Sequence, residues 1–373
     1  MRRILLLTGL FVLGLAQSAN AIPQFSRLTG VQCNACHSAQ RETNDLGAFY
    51  RRNGYRMPNL GIHGKPLVAL LGSTGTHSGS SALGTTPQLT EKVYAFLTAR
   101  LDREIVAGYE YYYAKDGSFR IETNQPFVQY TTRGSFAGAP VRLFVGSPAL
   151  PLPVDTDAYR QTISRYAIFD QTVGTNPFSL SSARNAVSLG FGSQVRGPSA
   201  TLVAADGRDQ HSRLAASGTD RMIEVHESLG GTVIGGYVYN GTRATGRTLD
   251  AFVRRALVLD YYRGALAIET LVQTGFDSSA VGTGVGVASS GGYAQLRLQL
   301  PQGMTAMARY DGVSQSRAGA FRRSLTIGAT RPIARGVSLQ LEDVIRTSRQ
   351  TTHTLNAQLG FGIANTRIGS VAY

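Results

Sequence analysis

Residues 294–300 read Ala-Gln-Leu-Arg-Leu-Gln-Leu, so apolar and polar side chains alternate at every step. The same alternation recurs in residues 92–102, 324–330, 337–342 and 355–363. A period of two gives a β-strand one apolar face and one polar face. These segments therefore predict an all-β protein.

Two β architectures are compatible with this alternation. In a soluble sandwich the apolar face points inward, whereas in a membrane barrel it faces lipid and the polar face lines a lumen. The barrel is favoured because the alternation extends over about 300 residues, which is long for one sandwich. A strand-like segment, residues 366–373, also places the aromatic Tyr373 at the end of the chain. The 308 residues from Pro66 to Tyr373 accommodate about 16 strands of roughly 9–11 residues. We therefore predict an outer-membrane antiparallel β-barrel of about 16 strands over residues 66–373.

Turn-forming residues divide the predicted barrel. Asn240-Gly241 lies between Tyr239 and Thr242 and predicts a tight hairpin turn. The Gly- and Ser-rich stretch 278–292 predicts a loop. A further loop is marked by three prolines, Pro148, Pro151 and Pro153.

The N-terminus predicts export. Arg2 and Arg3 precede an apolar stretch over residues 4–15, and Ala19-Asn20-Ala21 then gives the small-x-small pattern of a cleavage site. This order of regions is typical of a secretory signal peptide, here residues 1–21. The apolar stretch is shorter than the ~20 residues that a membrane-spanning helix needs.

The charge balance is basic but dispersed. The chain of 373 residues has 37 Lys and Arg against 23 Asp and Glu, a formal net charge of +14. Such a balance first suggests nucleic acid or an anionic membrane surface as a partner. The positive residues are mostly single Arg without a dense run, which favours solvated or pore-lining faces. No nucleic-acid partner is expected.

One motif carries chemistry: residues 31–37 contain C-x-x-C-H, with Cys33, Cys36 and His37. This is the attachment motif of c-type haem. Two thiols three residues apart reach both vinyl groups, and the adjacent imidazole binds the iron as proximal ligand. The chain has 2 Cys, both in this motif. The sequence therefore predicts one covalently attached haem c in a monohaem cytochrome segment, residues 22–65.

Other readings of the motif are weaker. A thioredoxin-like redox pair needs a βαβ context that the sequence lacks. A structural zinc site needs four ligands, and only three donor residues cluster here. A simple surface disulfide remains open.

The second axial ligand of the iron is not fixed by the sequence. Met57 and His63 are the near candidates, His77 is more distant, and a five-coordinate iron is the remaining alternative. Met57 follows a helical stretch, residues 44–53, whose apolar side chains can cover one haem face. The predicted iron ligands are therefore His37 and Met57, with His63 as the rival of Met57.

Other chemical motifs are incomplete. His226 stands in Glu224-Val225-His226-Glu227, which does not complete H-E-x-x-H. A second C-x-x-C-H is missing from the sequence, which argues against a multihaem wire.

The N-terminal residues resemble a known family. Ile22-Pro23-Gln24-Phe25, the C-x-x-C-H motif and Asn53-Gly54-Tyr55-Arg56 resemble the N-terminus of outer-membrane cytochrome–porin fusions, which include the monohaem iron oxidases of iron-oxidising bacteria. The stretch 171–178 is also similar to related chains. The resemblance implies a monohaem cytochrome fused to, and set within, a barrel of about 16 strands. It further implies that electrons pass from extracellular Fe(II) to a periplasmic c-type cytochrome or another acceptor. Cys33, Cys36 and His37 match the haem motif of the family, whereas no iron-binding site can be matched.

The expected function is therefore single-electron transfer across an outer membrane, in the sense of an iron:cytochrome oxidoreductase. The lipid bilayer is an expected partner, and the haem segment is expected to plug the lumen. Three alternatives remain: a conduit for a non-iron donor, a porin with a structural haem plug, and a soluble periplasmic haem sensor.

Overall fold

The structure is a computed structural model of the chain. It describes residues 67–79, 88–102, 104–116, 119–136, 139–147, 150, 152, 162–181, 184–192, 197–207, 218–229, 231–245, 248–263, 265–316, 321–334, 337–348 and 351–364. The predicted signal peptide, the cytochrome segment 22–65 and the terminal segment 366–373 lie outside these residues.

Sixteen β-strands make up almost all of the described chain. Their bounds are β1 Leu67–Gly79, β2 Gln88–Arg100, β3 Ile105–Asp116, β4 Phe119–Phe136, β5 Ala139–Gly146, β6 Ala186–Gly192, β7 Gly197–Asp206, β8 Thr219–Leu229, β9 Thr232–Thr245, β10 Thr248–Arg263, β11 Leu266–Asp277, β12 Val287–Gln299, β13 Thr305–Gln315, β14 Phe321–Ala334, β15 Val337–Thr347 and β16 Thr351–Ala364. A single 3-10 turn, Pro301–Gly303, connects β12 to β13. Among the described residues, no helix is long and apolar enough to cross a membrane.

The strands close into one antiparallel barrel. Each strand pairs with its neighbours in sequence, and β1 pairs with β16 from Ala69 opposite Ala364 to Gly79 opposite Thr354. Closure leaves no strand edge unpaired, which a sheet in lipid requires because its backbone groups have no water to bind. The predicted antiparallel barrel of about 16 strands is confirmed.

The two faces of the wall have opposite character. On β8, burial alternates residue by residue, with Asp220 and Glu224 buried while Ile223 and Val225 are 54% and 51% exposed. The apolar face thus points outward and the polar face inward. This is the reverse of a soluble sandwich and is the arrangement of a transmembrane barrel.

The connections at the two rims differ in length. At one rim the seven connections contain two to five residues, whereas at the other they reach 39 residues between β5 and β6. Outer-membrane barrels have short periplasmic turns and longer extracellular loops. The rim with the short turns is therefore periplasmic, and β1 begins and β16 ends there.

Two turn predictions are wrong, wholly or in part. Asn240 and Gly241 lie within β9, which continues to Thr245, and β10 begins only at Thr248. Gly241 faces the lumen, where a Cβ would collide with the carboxylate of Asp220, so it serves close packing and not a turn. The predicted loop 278–292 ends at residue 286, because residues 287–292 belong to β12.

Candidate functional site in the barrel lumen

The connection between β5 and β6 enters the lumen. Its longest described stretch, residues 162–181, is called the inserted segment below. The backbone N–H of Ser164 donates to Glu342 Oε2 at 3.0 Å, and that of Ala167 donates to Asp311 Oδ1 at 3.1 Å. Both carboxylates belong to inward positions of β13 and β15. The inserted segment is therefore bound to the inner wall by the backbone donors that it cannot satisfy internally.

Arg309 on β13 is the first anchor of the inserted segment. Its Nη2 donates to Ser164 Oγ at 3.0 Å and its Nε donates to Asp311 Oδ2 at 3.0 Å. The guanidinium also lies 4.2 Å from the ring centre of Tyr166. A planar cation with five donors can satisfy a loop and a carboxylate at once. Arg309 thus joins the segment to the wall at one end.

Asn176 is the second anchor. Its Nδ2 donates to Asp250 Oδ2 at 2.7 Å and to Asp277 Oδ1 at 2.9 Å. Arg254 completes this group, since its Nη1 donates to Asp277 Oδ2 at 2.7 Å. Gly174, two residues earlier, has a φ of +57°, and a Cβ there would collide with the carbonyl of Ala280. The turn at the tip of the inserted segment therefore requires glycine.

An aromatic cluster packs the inserted segment against β9 and β10. The ring of Phe178 is 4.7 Å from that of Tyr239 and 4.6 Å from that of Phe252. Arg184 covers the same ring, with its guanidinium 4.6 Å from the ring centre. Apolar wall residues extend this core inside the barrel, namely Val203, Met222, Tyr237, Ala256, Val258, Leu271 and Tyr293. The lumen beside β8–β12 is therefore filled by a packed core.

Charged residues on this part of the wall are paired. Arg243 binds Asp220 through both terminal nitrogens, at 2.7 and 2.5 Å, and the hydroxyl of Tyr239 donates to the same carboxylate. Paired and hydrogen-bonded charges hold the elements that they join in one arrangement. This part of the lumen is chemically suited to hold a segment in place.

His226 on β8 differs from these groups. Its Nδ1 lies 2.5 Å from Glu224 Oε1, and both side chains are buried. Its Nε2 has no hydrogen-bond partner in the part of the chain that the structure describes. Gly235 lies opposite His226 on β9, and a Cβ there would come within 2.7 Å of His226 Cβ. The ring therefore occupies space that a glycine leaves open.

The predicted site residues lie outside the described residues. Cys33, Cys36, His37, Met57 and His63 are not among them. His77, the more distant candidate, belongs to β1 and is paired with Asn356 and Gln88 in the sheet. Within the described residues, no group of three or more His, Cys, Asp or Glu side chains could hold a metal ion. The haem site therefore stays a prediction.

Sequence reasoning missed the anchors of the inserted segment. Alternation identifies inward positions on β10, β11 and β13, but the Arg–carboxylate pairs depend on strand register. The stretch 171–178, noted in the sequence for its resemblance, contains Gly174, Asn176 and Phe178, so it is the anchoring tip of the segment.

Comparison with known proteins identifies proteins of similar fold but no protein of similar sequence. No family model and no curated protein sequence matches the chain. An anion-selective porin from Comamonas acidovorans is similar in structure, with a TM-score of 0.64, 12% identity, and coverage of 81% of this chain and 100% of the porin. Salmonella typhi OmpF in complex with daunomycin has a TM-score of 0.63 and 10% identity, with 80% and 98% coverage. The outer membrane channel DcaP of Acinetobacter baumannii has a TM-score of 0.57 and 9% identity, with 83% and 99% coverage.

These similarities show the fold of the protein. It is a porin-type outer-membrane β-barrel: 16 antiparallel strands, an apolar outer face, a polar lumen and one long connection folded inside. The predicted β-barrel and the predicted outer-membrane location are confirmed, whereas the predicted N-terminal haem segment lies outside the described residues.

Proposed function

We propose that this barrel is an electron-transfer protein that carries one haem c, bound covalently through Cys33 and Cys36 with His37 as proximal ligand. The observation that carries the proposal is the C-x-x-C-H motif, located 30 residues before β1. Its donor set of two thiols and one imidazole suits haem c. When bound, the haem supplies a reversible one-electron couple.

The geometry of the barrel supports this function. Because β1 begins at the periplasmic rim, the segment that precedes it is attached at that rim. The inserted segment occupies the lumen from the extracellular ends of β10, β11 and β13. The barrel wall spans the insulating bilayer, and the inserted segment narrows the lumen. An attached cofactor could then exchange electrons with both compartments.

The proposed donor and acceptor follow from the family resemblance. Fe(II) outside the cell is the proposed donor, and a periplasmic c-type cytochrome is the proposed acceptor. A conduit for an organic or sulfur donor has the same structural requirements and differs only in what reduces it.

A visible spectrum of outer-membrane vesicles tests the proposal. The full chain is produced in a host with cytochrome c maturation, and spectra are recorded before and after adding Fe(II) at controlled pH. We expect a reduced α-band with Fe(II) alone, and no haem in a Cys33→Ala/Cys36→Ala variant. A haem that dithionite reduces but Fe(II) does not would shift the proposal to another donor. Vesicles with the folded barrel and no covalent haem would overturn it.

A solute channel with a haem plug is the second candidate. It is favoured by the porin-type barrel and its polar lumen. Planar-bilayer recordings separate the two candidates, because a plugged electron conduit passes little ionic current whereas a porin conducts steadily. Conductance in the holoprotein equal to that of an open porin would support the second candidate.

A further inference from the structure

Two arginines lie side by side on the inner wall at the extracellular rim. Arg322 is the second residue of β14, and Arg346 is the last but one of β15. Both belong to the inward series of their strands, which includes the buried Ser324 on β14 and the buried Glu342 on β15. Both side chains are exposed. Because they point inward, their exposed surface belongs to the lumen and not to the lipid face of the wall.

The strand register brings the two guanidinium groups within reach of one ligand. Arg346 is directly opposite Ser324 in the pairing of β14 with β15, and Arg322 lies two residues before Ser324. The two arginines are therefore diagonal neighbours on one face of an antiparallel pair. Such neighbours are about 7–8 Å apart, a gap that long side chains close.

Neither guanidinium is neutralised by the protein. Arg322 Nη2 donates one long hydrogen bond, to the carbonyl oxygen of Ala167 at 3.4 Å. Arg346 Nη1 likewise donates one, to Thr354 Oγ1 at 3.5 Å. Within the residues that the structure describes, neither forms an ion pair with a carboxylate. A guanidinium has five N–H donors, so most donors of this pair are open to a ligand in the lumen.

The two carboxylates on this part of the wall are already engaged. Asp311 accepts from Arg309 Nε at 3.0 Å, and Glu342 accepts from the backbone N–H of Ser164 at 3.0 Å. Arg346 is attracted by both carboxylates and repelled by the two other arginines of this part of the wall. Three positive charges thus face two negative ones, and the surplus positive charge lies at the arginine pair.

A dissolved oxyanion has the chemistry that this pair can bind. The planar guanidinium presents paired donors that match two oxygens of a phosphate or carboxylate group. A tetrahedral phosphate or sulfate has further oxygens for the second guanidinium, and its charge offsets the repulsion between the two cations. The phosphates of lipids are out of reach because both side chains lie on the inner face.

We propose that Arg322 and Arg346 form a binding site for a tetrahedral oxyanion, with inorganic phosphate as its simplest example, at the extracellular mouth of the lumen. The site borders the inserted segment, since Arg322 also contacts Ala167. It goes beyond the proposed electron transfer and needs no haem, because every group that it uses belongs to the described barrel wall.

Isothermal titration calorimetry with inorganic phosphate tests the site. The full chain is kept in a neutral detergent with ~0.1 M sodium chloride, which screens exposed charges more than about 10 Å apart. We expect one phosphate per barrel in the wild type, with sulfate as a competitor. Arg322→Gln and Arg346→Gln should each weaken phosphate binding about tenfold or more, because each removes a charge-assisted hydrogen-bonding partner. Circular dichroism of the same samples measures the β-structure of each variant.

Arg323→Gln is the matched control. Arg323 follows Arg322 on the same strand, but its guanidinium lies over the ring of Phe321 on the outer face, 5.5 Å from the ring centre. The variant loses the same charge without a change in the site, so its phosphate affinity should equal that of the wild type. Arg346→Lys keeps the charge and loses the planar fork. It should bind phosphate more weakly than the wild type and more tightly than Arg346→Gln, and it serves as the variant if Arg346→Gln does not fold.

Three outcomes overturn the inference. A wild-type barrel that binds no phosphate under these conditions has no such site. An affinity that falls as far in Arg323→Gln as in Arg322→Gln would show a general attraction to a basic barrel. Undiminished binding in the folded double variant Arg322→Gln/Arg346→Gln would make phosphate an adventitious ion only.

Discussion

The two ends of β8 hold buried polar side chains in opposite states. Near the extracellular end, the Asp220 carboxylate accepts hydrogen bonds from Arg243 and from the hydroxyl of Tyr239. Near the periplasmic end, His226 is held by Glu224 through one nitrogen only, and its second nitrogen has no partner among the described residues.

The difference separates a network that holds the inserted segment from an isolated pair. A buried polar network rigidifies the elements that it joins. Arg243 and Arg184 both pair with Asp220 and both lie over the ring of Phe178. The extracellular end of β8 therefore supports the inserted segment, whereas the Glu224–His226 contact joins two residues of the same strand.

The largest expected effect is at the satisfied end. Asp220→Ala leaves Arg243 and Arg184 buried with their acidic partner removed. Removing one member of a buried ion pair costs about 3–5 kcal/mol, so the free energy of unfolding should fall by that amount. Urea unfolding in detergent, followed by circular dichroism, measures it.

Glu227→Gln is the matched control for Asp220→Ala. Glu227 lies on the same strand but on the outer face of the wall, and substitutions away from buried networks usually change stability by at most about 0.5 kcal/mol. Equal destabilisation by the two variants would contradict the structural role assigned to the Asp220 network.

A smaller effect is expected where the inserted segment meets the wall. Phe178→Ala removes the ring that packs on Tyr239 and Phe252. Truncating a buried Phe costs about 3 kcal/mol or somewhat more, and here the loss loosens the segment from the wall. Planar-bilayer conductance should therefore rise, and limited proteolysis from the extracellular side should cut the segment sooner.

Phe276→Ala is the control for this aromatic contact. Phe276 is half exposed on β11 and lies on the apolar outer face. Its truncation should leave conductance unchanged. If Phe178→Ala also left both conductance and proteolysis unchanged, the packed core beside β8–β12 would not be what closes this part of the lumen.

The amide of Asn176 gives the next smaller effect. Asn176→Ala removes the donor shared by Asp250 and Asp277. The two buried carboxylates then repel each other without a hydrogen-bond donor between them. Loss of a hydrogen bond to a charged group costs about 1.5–3 kcal/mol. The thermal or urea midpoint of the variant should fall between those of Asp220→Ala and the wild type. A midpoint equal to the wild type would show that Arg254 at Asp277 and the Ser279 N–H at Asp250 satisfy the two carboxylates without Asn176.

The alternation of apolar and polar residues predicted the barrel wall. The contacts between side chains in the lumen could not be predicted in this way, because they depend on which residues face each other across paired strands. Segments such as 294–300 alternate strictly because one face meets lipid and the other the lumen, so strand number and orientation follow from the sequence. Asn240-Gly241 misled the turn prediction because a glycine that makes room for a neighbouring strand looks the same in sequence as one in a turn. The Asp220–Arg243 pair, 23 residues apart, depends on how β8 and β9 align. His226 was set aside because its sequence motif is incomplete, although its inward position could be read from the alternation of β8.

The smallest predicted effect sharpens the comparison at the periplasmic end of β8. Glu224→Gln keeps an oxygen that can accept from His226 Nδ1 but removes the negative charge, so we expect stability to change by less than about 1 kcal/mol. Urea unfolding in detergent, followed by circular dichroism, measures the change. A loss of about 3 kcal/mol or more, as expected for a broken buried ion pair, would show that the Glu224–His226 contact matters to the barrel as much as the Asp220 network does.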